Sequence, residues 1–249
     1  MPEIILNEKQ WAEDAIENSY MGQKPYDTLS RIARYYHDAG FKRGSISKLV
    51  ESHVLRCDPS ANIVKWQGMI DASVRASDKY PLVDIPFIGV TEREMEVIDA
   101  ISGILLRRLM FTLVCLAKYG NALSEKNSGW VNRDTREIFS LANITATIKR
   151  QALMVNDLWS AGYIKYSNIV DNTNLRVAIL DDESPVCIRI TDFRNIGNQY
   201  MMHSGAQYFE CEGCGLVIKR TSNRQKYCSC CAADVHSRMT VNGRQMNIA

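Results

Sequence analysis

Four cysteines near the C-terminus have the spacing of a metal site. Cys211 and Cys214 form one CxxC pair, and Cys228 and Cys231 form a second pair, separated from the first by 13 residues. Each pair can supply two thiolates from one tight turn, and two such turns complete the tetrahedral sulfur set that Zn²⁺ prefers in structural sites. The spacing therefore predicts one structural Zn²⁺ ion held by these four residues, without an open position for catalysis.

Two neighbouring residues could each take the place of Cys231 as the fourth ligand. Cys230 would replace Cys231 with the less usual C-x-C spacing, and His236 lies five residues beyond Cys231. The alternative is that these two are a spare thiol and a surface histidine. Four thiolates repel one another without a cation, so the site is expected to fold only with its metal. Cys57 and Cys115 lie on apolar stripes, and Cys187 lies between Val186 and Ile188 in a predicted strand, so all three are expected to be inert core residues.

The loop between the two CxxC pairs is basic. It holds four cations and no acidic residue: Lys219, Arg220, Arg224 and Lys226. Lysine and arginine on such a loop can bind the phosphates of a nucleic acid, which fixes position rather than sequence preference. The alternative is a solvated hairpin tip.

The composition as a whole excludes several classes of protein. The chain has 249 residues, 46% of them apolar and 23% charged, and 30 Lys plus Arg against 28 Asp plus Glu give a formal charge of +2. These values are ordinary for globular domains and exclude a disordered chain or one that is basic throughout. There is no P-loop, GxSxG or HExxH motif, so no catalytic activity is expected. The N-terminus lacks the pattern of a secretion signal and Arg107 and Arg108 interrupt the longest apolar stretch, so a cytoplasmic protein without a membrane partner is expected.

The pattern of apolar residues predicts a mainly α (α+β) chain of three domains. Residues 1–85 show short amphipathic stripes, typical of a helical bundle, and end in a proline-containing connector. Residues 86–203 begin with one long helix, from a Thr91–Glu94 capping box to Tyr119. They continue as strand, helix, tight turn, helix and hairpin, the order of a winged helix-turn-helix. Residues 204–249 form the small four-cysteine zinc finger.

In a winged helix-turn-helix the second helix of the pair enters the major groove of DNA. Here that helix is predicted over 146–161, and its helical spacing predicts a core face of Ile148, Ala152, Val155 and Trp159. Thr147, Lys149 and Arg150 then lie on the other side and can contact bases or phosphates. The following hairpin carries Lys165, Asn168, Asn172, Asn174 and Arg176, and its tip is expected to contact phosphate only weakly because it holds Asp171 and little positive charge. Leu153 and Met154 are apolar residues beside Arg150 and favour the alternative, a protein contact.

Several segments resemble a family of uncharacterised proteins encoded by phages and integrative elements of Gram-positive bacteria. The resemblance is carried by residues 107–119, 130–132, 137–143, 188–194 and 211–215. It implies a mobile-element context and transfers no catalytic residue. Relatives often carry further CxxC pairs beyond the first two.

Together these features predict a non-enzymatic nucleic-acid-binding protein of a phage or mobile element, acting in replication or transcription control. DNA is the expected partner, and RNA is the other nucleic acid that such surfaces can bind. The alternative is an inhibitor or adaptor that binds a host protein or nucleoprotein, such as a CRISPR-type defence effector or a polymerase. The near-neutral charge keeps this alternative open.

Overall fold

The computed structural model describes residues 4–167 and 174–235, and within them the chain is mixed α/β with small sheets. It divides into two compact units, Met1–Pro86 and Phe87–Ala249. The further predicted division of the second unit at residue 204 stays a prediction. In the described ranges no helix has the length and apolar character needed to cross a membrane.

The first unit is built from four helices. They are α1 Glu8–Glu17, α2 Pro25–Asp38, α3 Arg43–Cys57 and α4 Ile63–Ser77. Pro25 occupies the first turn of α2, where its fixed φ suits a helix and no amide hydrogen bond is lost. Helices α2, α3 and α4 share one apolar core, against which Ile16 of α1 packs; its buried residues are Leu29, Ile32, Ala33, Ile46, Val50, Val54, Ile70 and Val74. The amphipathic helices predicted for this region are therefore present and bury the predicted stripes.

The second unit begins differently from the prediction. The single long helix expected from Thr91 is divided into β1 Ile88–Thr91, α5 Glu92–Ala100 and α6 Ile104–Leu123. Gly103 has a φ of +95°, and Ile101 is extended, so the helix cannot pass through this segment. β1 pairs antiparallel with β5, Val186–Ile190. The prediction of one uninterrupted helix was wrong because it followed apolar spacing through a glycine with positive φ.

The predicted capping box at the start of α5 is present. The Thr91 hydroxyl accepts the amide of Glu94, and the Glu94 carboxylate accepts the amide of Thr91 at 2.9 Å. The same hydroxyl donates to the Asp181 carboxylate at 2.9 Å. Replacement of Thr91 by alanine is expected to lower the free energy of unfolding by about 1–2 kcal/mol, because a helix cap and a tertiary bond are lost together. Urea denaturation measures this loss. Thr91→Ser, which keeps the hydroxyl, should recover most of it, and equal losses in both variants would contradict the capping role.

The central part of this unit has a three-stranded sheet and two short helices. Its elements are β2 Trp130–Val131, α7 Thr135–Leu141, α8 Ile148–Ser160, β3 Ile164–Tyr166 and β4 Leu175–Val177. The strands are antiparallel in the order β2-β4-β3. Both β2 and β4 contact α6, so one face of the sheet is buried. Most of the predicted hairpin tip, 168–173, lies outside the described residues.

The core face predicted for α8 is corrected by the structure. Of the four predicted core residues only Val155 is buried; Ile148 is 70% exposed, Trp159 is 48% exposed, and Ala152 is also exposed. The buried residues are Met154, Val155 and Leu158. The buried face of the helix is thus rotated by part of a turn from the predicted one, because α8 packs against β3 and α6 through these residues.

A short helix, α9 Gly197–His203, connects this region to the C-terminal hairpin of β6 Tyr208–Glu210 and β7 Val217–Lys219. Asn198 is 2% exposed. Its Oδ1 accepts bonds from Arg108 Nη2 at 3.1 Å and Asn143 Nδ2 at 3.0 Å, and its Nδ2 donates to Val217 O at 2.8 Å. One buried amide therefore joins α6, the α7–α8 turn and the C-terminal hairpin, with both of its polar atoms satisfied.

Candidate metal centre and basic surfaces

The four predicted cysteine ligands come together in the structure. The sulfur atoms of Cys211, Cys214, Cys228 and Cys231 all lie within 4.8 Å of one another. The Cys214 and Cys228 sulfurs are 3.8 Å apart. A tetrahedral ion with metal–sulfur distances of about 2.3 Å has sulfur–sulfur edges of about 3.8 Å, so the spacing fits one bound metal ion.

The two ends of the site are held by local backbone geometry. Cys211 follows β6, and the chain turns back through Gly215, which has a φ of +72° and donates its amide to Cys211 O at 2.9 Å. At Gly213 a Cβ would lie 3.0 Å from both the Cβ and the sulfur of Cys231, so the turn leaves little room for a side chain. On the other side, the helix of residues 229–235 carries Cys231. The Cys228 amide donates to the Cys211 sulfur at 3.1 Å, which joins the two halves.

Without a cation the thiols of Cys211 and Cys231 would ionise unequally. Burial of Cys211 opposes its ionisation, but the amides of Cys228, Gly213 and Cys214 outweigh burial together and lower the pKa of this thiol to about 6. For Cys231 the neighbouring sulfurs of Cys228 and Cys214 raise the pKa instead. Cys211 therefore ionises more readily than Cys231, and a bound cation would stabilise both thiolates.

The two alternative ligands have different outcomes. Cys230 is exposed and does not belong to the sulfur cluster. His236 lies outside the described residues. The remaining cysteines are only partly as predicted, because Cys115 is buried, Cys57 is partly buried, and Cys187 is exposed on β5. Cys187 is not a core residue because most of β5 is exposed, and only Ile190 at its end is buried.

Two polar contacts that anchor the metal centre were not indicated by the sequence. Arg194 Nη2 donates to Cys214 O at 2.6 Å, and Asn198 Nδ2 donates to Val217 O. Both partners are about twenty positions away along the chain, so no local spacing indicates them. They connect the sulfur-bearing turn and its hairpin to the α9 region.

The basic loop between the CxxC pairs lies on the surface. Lys219, Arg224 and Lys226 are exposed. Lys226 lies 3.6 Å from the Glu212 carboxylate, a surface pair of little energetic weight. The Arg220 guanidinium stacks over the Phe209 ring at 5.0 Å, so it is held more firmly than the other three.

The predicted contact residues of α8 lie at its N-terminal end. Thr147 is the N-cap, and its hydroxyl accepts the Arg150 amide at 3.3 Å. Lys149 and Arg150 are exposed, and neither pairs with a carboxylate in the part of the chain that the structure describes. Their neighbour Leu153 is also exposed, at 46%, whereas Met154 is buried. The exposed surface of α8 therefore combines two cations with apolar side chains.

Comparison with known proteins identified no relative of this chain. No protein-family model, no curated protein and no solved structure matches the chain.

Proposed function

We propose that this protein binds nucleic acid, DNA in the first instance, through α8 and the basic loop of a structural zinc finger, and that it is not an enzyme. The observation that carries the proposal is the pair of exposed cations Lys149 and Arg150 on the first turn of α8, which no carboxylate of the described residues neutralises. The helix N-terminus adds a partial positive charge at the same end. Phosphate groups are the ligands that such an arrangement attracts most strongly.

A winged helix-turn-helix is the interpretation of residues 86–203 that we favour. Its support is the order of α6, β2, α7, α8, β3 and β4, together with the strand order β2-β4-β3. The turn between α7 and α8 includes Asn143 with a φ of +51°, a conformation that asparagine tolerates better than most residues. In this interpretation α8 is the helix that approaches the groove.

Zn²⁺ is the metal that we propose for the four-cysteine site. An all-thiolate tetrahedral set suits a borderline-soft ion, and four protein ligands leave no position for a reacting water. Cys211, Cys214, Cys228 and Cys231 would hold the ion, and its chemistry would be structural. The loop it closes presents Lys219, Arg220, Arg224 and Lys226, which we propose as phosphate contacts.

The origin of the protein is proposed from the segments that resemble phage and integrative-element proteins. In that setting it would act in the cytoplasm of a bacterial host, in replication or transcription control. A second function, inhibition or recruitment of a host protein, is favoured by one observation: Ile148, Leu153 and Trp159 leave large apolar surfaces exposed on α8.

A salt-dependent binding measurement tests the nucleic-acid proposal. Wild-type protein and labelled oligonucleotides are compared with a variant in which Lys219, Arg220, Arg224 and Lys226 are replaced by alanine, and with Lys149→Gln/Arg150→Gln. The plot of log affinity against log salt should flatten by about one unit for each phosphate that the variant no longer binds. Replacement of Arg220 also removes its contact with Phe209 in the C-terminal hairpin. The metal content of the first variant is therefore measured to establish that the four-cysteine site is still intact.

A matched control removes four positive charges elsewhere. It replaces exposed lysines of the first unit by alanine: Lys42, Lys48, Lys65 and Lys79. This control should keep wild-type affinity and slope, and an equal loss in the control would mean that only net charge matters. Wild-type protein that binds no oligonucleotide contradicts the proposal. Nuclease-resistant co-purification with a host protein, abolished in Leu153→Ser/Trp159→Ser, would then favour the second function.

A further inference from the structure

Two cations face each other directly on the outer side of the three-stranded sheet. Lys165 of β3 and Arg176 of β4 are opposite partners in the antiparallel register, and both side chains are exposed. Like charges at opposed positions destabilise a strand pair. Within residues 4–167 and 174–235 neither side chain forms an ion pair with a carboxylate. This positive charge is therefore not neutralised by the described part of the protein.

The two cations line a concave site, which we call the sheet groove. Its volume is about 330 Å³, within the range of small-ligand sites, and its lining includes Asn121, Ser128, Lys165, Arg176, Val177 and Leu180. No carboxylate is among the lining side chains of the described residues. The Arg176 Nε donates to Ser128 O at 2.9 Å, which orients the guanidinium and leaves its two terminal nitrogens for a ligand.

The amide of Asn121 adds a further donor to the sheet groove. Its Oδ1 accepts the backbone amide of Gly129 at 2.8 Å and Asn127 Nδ2 at 3.1 Å, so the orientation of the side chain follows from its partners. The Nδ2 hydrogens are then what Asn121 can offer to a ligand. The polar lining therefore consists of two cations, Lys165 and Arg176, and two neutral hydrogen-bond donors, the Asn121 amide and the Ser128 hydroxyl.

We propose that the sheet groove binds a phosphate group, held by Lys165 and Arg176 with Asn121 and Ser128 as neutral donors. A guanidinium whose Nε is already bonded matches the tetrahedral oxygens of phosphate with its terminal nitrogens, and lysine adds a point charge. The lining of the sheet groove includes neither the α8 cations nor the cations of the basic loop. The proposal of a phosphate site follows from the groove alone. Only the assignment of that phosphate to a nucleic-acid backbone, rather than to a free nucleotide, rests on the proposed function.

Glutamine variants of the two cations test the proposal in two ways. Oligonucleotide affinity is measured by fluorescence anisotropy, and inorganic phosphate is titrated while the Arg176 Nε–Hε signal is followed by NMR. Lys165→Gln should keep the fold intact, because this side chain is exposed and forms no ion pair within the described ranges, whereas Arg176→Gln also removes the bond to Ser128 O. Lys165→Arg retains the charge. Lys126→Gln, which removes one exposed cation in the 3₁₀ turn before β2, is the matched control.

If the ligand is a phosphate of the nucleic-acid backbone, Lys165→Gln should lower oligonucleotide affinity about fivefold at physiological salt, because one phosphate interaction is removed. Lys165→Arg and Lys126→Gln should leave the affinity unchanged. If the ligand is a small phosphate compound, Lys165→Gln should leave oligonucleotide affinity unchanged. Phosphate should then shift the Arg176 signal of the wild-type protein, and Lys165→Gln should abolish that shift. Either result supports the groove as a phosphate site. Unchanged affinity together with no phosphate-induced shift overturns it. A wild-type protein that shows the shift yet binds no oligonucleotide refutes the proposed function and leaves this inference standing.

Discussion

Removal of the metal is expected to unfold the four-cysteine segment and make its thiols reactive. The hairpin of β6 and β7 has only three residues in each strand, and its small core includes Phe209 and Val217. Metal binding to structural zinc sites contributes about 10–16 kcal/mol, far more than so small a core can replace. Thiol titration before and after chelation measures the change: the four cysteines of the cluster should become reactive with loss of one metal equivalent.

Serine substitutions separate ligands from the neighbouring thiol. Cys228→Ser removes a buried member of the cluster and should lower the metal content from one equivalent to nearly none. Cys230→Ser changes an exposed cysteine next to the site and should retain the full equivalent while one fast-reacting thiol disappears. Elemental analysis of the purified protein identifies the metal. Full metal content in Cys228→Ser, or its loss in Cys230→Ser, would contradict the assignment of the ligands.

The sequence predicted best those features whose physical cause lies within a few neighbouring residues. Two residues within three positions of each other, such as Cys211 and Cys214, meet in one turn whatever the rest of the chain does. The capping box at Thr91 is equally local, because its two hydrogen bonds close within one helical turn. Apolar stripes in the first unit were also predictive, since several helices must bury them together.

Features that depend on distant partners could not be predicted in the same way. Leu153 and Met154 are adjacent and similarly apolar, and only the packing of α8 in the folded unit decides that Met154 is buried and Leu153 exposed. The groups that neighbour the metal centre, Arg194 and Asn198, act across about twenty residues. The opposition of Lys165 and Arg176 follows from a strand register that hairpin composition alone does not determine.

The buried junction between α9 and the α7–α8 turn has a strict requirement for glycine. A Cβ on Gly197 would lie 2.2 Å from Ala142 O and 2.8 Å from its carbonyl carbon. These are backbone atoms, so no side-chain rotation relieves the overlap. The same turn is fixed from the other side, because Arg108 Nη2 donates to Ala142 O and to Asn143 O, each at 2.9 Å. Arg108 Nη2 also donates to Asn198 Oδ1 of α9, so the two chain segments cannot separate without breaking a bond to a buried guanidinium.

Gly197→Ala is accordingly expected to destabilise the second unit by about 3 kcal/mol or more, the upper end of the range for overpacked sites. For a unit of this size that corresponds to a melting temperature lower by about 6–12 °C, measurable by differential scanning calorimetry. Gly68→Ala adds the same methyl group to α4, where nothing lies within 4 Å of the new atom, and is the matched control. It should raise the stability of the first unit by up to about 1 kcal/mol, since alanine is the better helix former. Equal melting temperatures for Gly197→Ala and wild type would show that the close approach of α9 to Ala142 does not hold in solution, because a carbonyl oxygen and a methyl carbon cannot occupy that separation.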